Sequence, residues 1–107
     1  MSSKKPFTLP RELILKNKNE IDLVLRTGRR ISGNVFTAFI LSSGKTRVAF
    51  LISKKVGKAV QRNRMKRLFR EAYRQNRTLF EGKEIVFSIK TFYDDFHALV
   101  NQIISLK

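Results

Sequence analysis

Nine cations stand within residues 53–74: Lys54, Lys55, Lys58, Arg62, Arg64, Lys66, Arg67, Arg70 and Arg74. A single acid, Glu71, accompanies them, so nine charges less one leave the segment with +8 of the chain's +15. Cations packed this densely repel one another unless a polyanion lies against them. The chemistry they can do is phosphate binding. Lysine supplies a mobile point charge, whereas arginine adds paired hydrogen bonds and a flat surface that stacks. On a helix, Arg62, Lys66, Arg70 and Arg74 recur every fourth residue and line one row, with Asn63 and Arg67 beside it. A rigid cationic row can meet several phosphates of one strand at once.

A helix over about 59–75 must present that row. Met65, Leu68, Phe69 and Ala72 fall at i, i+3, i+4 and i+7, the period of a half-buried helix. The charge therefore sits on a docked element. A merely solvated face would mix both signs, and this one does not. A membrane-surface or calmodulin-type helix would need bulky apolar residues left exposed, and here the stripe is needed for docking. The loop Lys54-Lys55-Val56-Gly57-Lys58 leads from a strand into the helix, where free backbone amides favour anions. It does not match the Walker pattern, so a nucleotide P-loop is rejected.

The remaining segments predict a scaffold. With 107 residues the chain is one domain, 1–107, large enough to hold a core. Residues 1–18 contain Pro6, Pro10 and two lysines around Asn17, and predict an extended basic arm. Asn19 is placed to cap a first helix ending near Thr27 and Gly28, with Ile21, Val24 and Leu25 on one face. Residues 34–42 and 46–53 predict two strands joined as a hairpin through Ser43-Gly44. Gly82 is a break, 84–90 a third strand, and 94–106 a last amphipathic helix striped by Phe96, Leu99, Val100, Ile103 and Ile104. The fold class is α+β: a small single-domain α/β sandwich in the order α-β-β-α-β-α around a small sheet.

Other chemistries find little support. There is no cysteine, which excludes disulfides and thiolate metal sites and fits a reducing compartment. His97 is the only histidine, and Asp94 and Asp95 are adjacent, so they diverge by about 100° on a helix and chelate poorly. No nucleophile-base set is spaced for catalysis. No long apolar run follows the basic N-terminus, so neither a secretory signal nor a membrane span is expected, and the expected location is the cytoplasm. Among nine phenylalanines, Phe36 and Phe39 are three apart on a strand and point to opposite faces. One can be core while the other stacks bases on a binding face. On the residues alone, an RNA-binding protein of the ribosomal type remains open beside any enzyme role.

The run from Lys54 to Arg74, centred on Arg62-Asn63-Arg64 with Lys66-Arg67 and Arg70 following, resembles the signature of the bacterial ribonuclease P protein subunit. That resemblance extends over most of the chain. It implies a left-handed βαβ crossover carrying the basic helix, against the usual handedness. It also implies a ribonucleoprotein endoribonuclease in which a large RNA, with Mg2+, removes the 5′ leader of precursor tRNA. The implied partners are ribonuclease P RNA and precursor tRNA, with no membrane, no small-molecule substrate, no catalytic residue in the protein and no protein metal site. Lys54, Lys55, Lys58, Arg62, Asn63, Arg64, Lys66, Arg67, Arg70 and Arg74 would contact RNA. The family's leader cleft, between the first helix, the sheet and the basic helix, would fall on Ile21, Leu25 and Phe39, with Phe36 a further candidate. The family often has aromatics where this chain has Ile21 and Leu25, so leader contacts would lean on Phe39 and the cations.

Overall fold

The structure, a computed structural model, describes residues 13–106. Helix α1 spans Lys18–Thr27. Its cap is Asn17 and not Asn19: the Asn17 Oδ1 accepts from the amides of Asn19 and Glu20 at 2.8 and 3.4 Å. Asn17 is extended, which lets its side chain fold back over the first turn. Gly28 ends the helix by close approach, since a Cβ there would lie 2.6 Å from the Val24 carbonyl oxygen. The expected arm over 1–18 lies outside the described residues for 1–12. Its remainder is docked: Ile14 bridges Val48 in parallel, and Leu15 is buried.

Four strands follow: β1 (Arg29–Ser32), β2 (Phe36–Leu41), β3 (Arg47–Ile52) and β4 (Glu84–Ile89). Their order in the sheet is β1-β2-β4-β3. The β1/β2 and β2/β4 pairs are antiparallel, and β3/β4 is parallel. The expected β2–β3 hairpin therefore does not form; β4 inserts between the two strands. The reason lies in β4, which is buried on both faces at Ile85, Val86, Phe87 and Ile89 and so takes a central place. The half-exposed β3 is left at the edge. Strand β1 carries no alternating apolar pattern, because it is the other edge and mostly exposed. Ser43-Gly44 still turns the chain, with Gly44 at φ +88° and its amide donating to the Gly82 carbonyl.

Helix α2 (Ala59–Asn76) connects parallel neighbours β3 and β4, and α3 (Phe96–Ile104) packs against it. Asp95 caps α3 by accepting from the Ala98 amide, so that helix starts later than the pattern predicts. The two sheet faces carry separate cores. On one, Phe36, Phe69, Tyr73, Phe80 and Phe87 join Met65, Leu99 and Ile103 beneath α2 and α3. Phe36 meets Phe69 edge-on at 5.1 Å, and Phe50 stacks on Phe87 at 5.6 Å. On the other face α1 lays Val24 against Ala49 and Val86, with Ile21, Leu25, Phe39 and Leu41 partly buried around them.

Tyr73 lies fully buried, and its hydroxyl finds no hydrogen-bond partner among the described residues. Burial pushes its phenol up from 10.0 to about 12, against a smaller opposing effect of Arg77. A proton held more tightly when folded is a stability contribution present below pH 10 and lost as pH rises toward 12. Tyr73→Phe is expected to keep stability at neutral pH within about 1 kcal/mol, because it removes an unpaired buried group. It should also flatten the alkaline loss between those values. Denaturant midpoints of both proteins at pH 7 and pH 11 check this, and equal alkaline losses would refute it.

Candidate nucleic-acid interface

The cations are set up by the turn that leaves β3. Ser53 Oγ accepts from the Lys55 amide and caps a single 3-10 turn, Lys54–Val56, pinned by the buried Val56. Gly57 then takes φ +142°, and a Cβ there would collide with the Gln61 amide group. Gln61 Oε1 accepts from the Lys58 backbone amide at 2.9 Å, which holds the first turn of α2. Met65, Phe69, Ala72 and Tyr73 bury the inner face of that helix, so the outer face has a fixed orientation.

Lys54, Lys55, Lys58, Asn63, Arg64 and Arg67 are exposed, while Arg62, Lys66, Arg70 and Arg74 are half-buried. Two shallow grooves flank the helix and share Asn63. One, of about 560 Å³, is lined by Val60, Asn63, Arg64, Arg67 and Leu68. The other, of about 180 Å³, is lined by Ile52, Ala59, Arg62, Asn63 and Lys66. The Nε atoms of Arg62 and Arg70 are covered and have no hydrogen-bond partner among the described residues. The row expected from the spacing is thus present through Arg62, Lys66 and Arg70.

Its fourth member departs. Arg74 is committed to Glu71, donating from Nε to Oε1 at 2.8 Å and from Nη2 to Oε2 at 2.6 Å. Gln75 adds a third donor to the same carboxylate. The Arg74 hydrogen bond holds the Glu71 carboxyl below the usual range despite its burial. Arg74 is therefore an internal counter-ion and not a free cation. Arg64 pairs with Asp94 at 2.9 Å, in the open, and that bond raises the Arg64 pKa further. Asp94 thus serves α2 rather than the first turn of its own helix. Lys54, Lys55, Lys58, Arg62, Lys66, Arg67 and Arg70 form no ion pair among the described residues.

The second candidate region lies on the opposite sheet face. Ile21, Leu25 and Phe39 come together there, half-buried, in the cluster beneath α1. Phe36 does not join them. It is buried in the main core between Phe69 and Phe87, because successive odd and even positions of β2 face opposite ways. Spacing alone shows that the two rings separate, but not which of them is core. His97 is exposed on α3. Among the described residues no three of His, Cys, Asp and Glu gather as a metal-binding group. Among those residues no helix is long and apolar enough to cross a membrane.

Comparison with known proteins shows the family. The family model Ribonuclease P matches residues 9–106. The ribonuclease P protein component of Dictyoglomus thermophilum is 37% identical, over 94% of this chain and 89% of its own length. That of Desulfotalea psychrophila is 37% identical over 78% of this chain and 72% of its own. Among solved structures, the Staphylococcus aureus RNase P protein superposes with a TM-score of 0.77 at 19% identity, over 87% of this chain and 90% of that one. The Thermotoga maritima RNase P protein gives 0.73 at 23%, over 86% and 92%. These two likenesses speak for the fold, a small α+β domain of three helices on a four-stranded mixed sheet. The sequence matches carry the function, and the chain belongs to the ribonuclease P family as a protein component of the ribonucleoprotein endoribonuclease that processes the 5′ end of tRNA.

Proposed function

We propose that this protein clamps the catalytic ribonuclease P RNA with the 54–70 surface and the 5′ leader of precursor tRNA with the α1 face of the sheet. The observation that carries the reading is that seven cations of the turn and α2, Lys54, Lys55, Lys58, Arg62, Lys66, Arg67 and Arg70, form no ion pair among the described residues. Lys54, Lys55 and Lys58 on the turn, and Arg62, Lys66, Arg67 and Arg70 on α2, would displace counterions from RNA phosphates. Each contact adds about 0.7–0.9 to the slope of log affinity against log salt. Asn63, which lines both grooves, would hydrogen-bond RNA from either side. Arg64 would exchange Asp94 for a phosphate, since an exposed ion pair contributes at most about 1 kcal/mol. On the other face Phe39 would stack a leader base, flanked by Ile21 and Leu25.

Under this reading the chain supplies binding and orientation, and the bond-breaking groups belong to the RNA. Magnesium, when present, would screen phosphates and act at the RNA. The protein's cations would take over part of that screening and so lower the magnesium needed. The cytoplasm is the compartment where precursor tRNA is met.

The first test mixes the protein with ribonuclease P RNA and precursor tRNA at low magnesium and follows leader release. Strong stimulation over RNA alone is expected, with no cleavage by protein alone. Tight RNA binding without stimulation would instead favour a ribosomal-type binder. Within the surface, Arg67→Ala should lower the salt slope by about one. Arg74→Ala should leave the slope unchanged and cost stability, because it strands the Glu71 carboxylate. If both variants lower the slope equally, the assignment of Arg74 to Glu71 is wrong. Asp94→Asn frees Arg64 and should tighten RNA binding about two- to five-fold, the worth of an exposed pair; weaker binding in a titration would show that Asp94 orients Arg64.

A further inference from the structure

Two cations start the first strand, and the sheet sends them to different faces. Arg29 pairs in register with Ile40, on the face beneath α3, where its Nη2 donates to the Leu106 carbonyl at 3.4 Å. Arg30 pairs with Phe39, and Phe39 in turn with Val86, which pairs with Ala49. These four therefore form one row across the α1 face of the sheet. Residues directly opposed in antiparallel strands bring their Cβ atoms to about 4.5–5.5 Å. Arg30 is thus the cation that the register sets directly beside the Phe39 ring. It is exposed and has no ion-pair partner among the described residues, while Phe39 is half-buried.

The next row on the same face consists of Ser32, Thr37, Ser88 and Leu51. Ser32 is exposed, Ser88 half-exposed and Leu51 39% exposed, while Thr37 between the two serines is buried. These two rows are therefore uncharged apart from Arg30, with three hydroxyls and Leu51 in the second. Such a strip suits a single strand of RNA: bases meet flat or apolar side chains, and a lone arginine meets the phosphate. A guanidinium is planar and stacks as well as pairs.

We propose that Arg30 is a leader-contacting residue, set at the sheet edge beside Phe39 to stack against an unpaired base and hold the neighbouring phosphate of the 5′ leader. The proposal rests on the reading that the α1 face receives the leader. Arg30 is exposed on an edge strand, where substitutions usually change stability by no more than about 0.5 kcal/mol.

The test uses the reconstituted holoenzyme and measures its affinity for two precursor tRNAs, one with a long leader and one with a minimal leader. Arg30→Ala is expected to weaken the long-leader substrate about tenfold, the size of one stacked base. The minimal-leader substrate should be unaffected, as should binding of the catalytic RNA. Arg30→Lys should keep the salt slope and recover only part of the affinity. Phe39→Leu, which removes the ring but keeps the packing, reports on the face itself. If Phe39→Leu lowers the long-to-minimal ratio and Arg30→Ala does not, the leader face stands and the role of Arg30 is overturned. If neither variant moves the ratio, both the face and Arg30 are overturned. Equal losses on both substrates for Arg30→Ala would place it on tRNA or catalytic RNA and also overturn the proposal.

Discussion

The docking of α2 on the aromatic face of the sheet is the interaction on which everything else depends. Met65, Phe69 and Tyr73 are fully buried against Phe36, Phe50 and Phe87, and Ala72 lets the helix approach closely. Each large side chain so buried contributes about 1.5–3 kcal/mol. The like charges along Arg62, Lys66 and Arg70 oppose the helix by about 0.2–0.5 kcal/mol for each pair four residues apart. Burial wins by several fold, so a row of like charge can be held in one orientation before any RNA arrives. A floppy segment of the same composition would lose that advantage, since each side chain would have to be ordered at the moment of binding.

The sheet is packed on both sides because β2 and β4 are central in it. One face is filled by α2 and α3. The other is only partly covered by α1, and on it Phe39 and Ser88 are half-buried while Ser32 and Leu51 are exposed. The two regions are thus separated by the thickness of the sheet and are not parts of one patch. The exposed cations of α2 and the side chains around Phe39 therefore share no residue.

The few acids are used where they shape the cationic surface. Glu71, in the interior of α2, ties down Arg74 and satisfies Gln75. Glu20 joins α1 to the start of β3 through Arg47, at 3.1 Å. Asp94 meets Arg64 in solvent. The first is desolvated, so breaking it leaves an unpaired buried charge and is costly. The last is solvated and cheap to exchange. Burial, more than distance, separates the arginine that stays with its acid from the one free to leave it.

Much was legible in the sequence because it rests on local physics. The spacing of Met65, Leu68, Phe69 and Ala72 determines a docked helix and the side on which Arg62, Lys66 and Arg70 emerge. The excess of cations determines a polyanionic partner, and the Arg62-Asn63-Arg64 run points to the family. What depends on distant residues had to come from the fold. The burial of β4 on both faces broke the expected β2–β3 hairpin, since pairing order is a property of the whole sheet. The charged edge strand β1 escaped notice because edges need no apolar alternation, and with it went the place of Arg30. Which of Phe36 and Phe39 is core, and whether Arg74 is free, were likewise decided by tertiary contacts. A periodicity states that two side chains diverge, but only the packed neighbours decide which one water reaches.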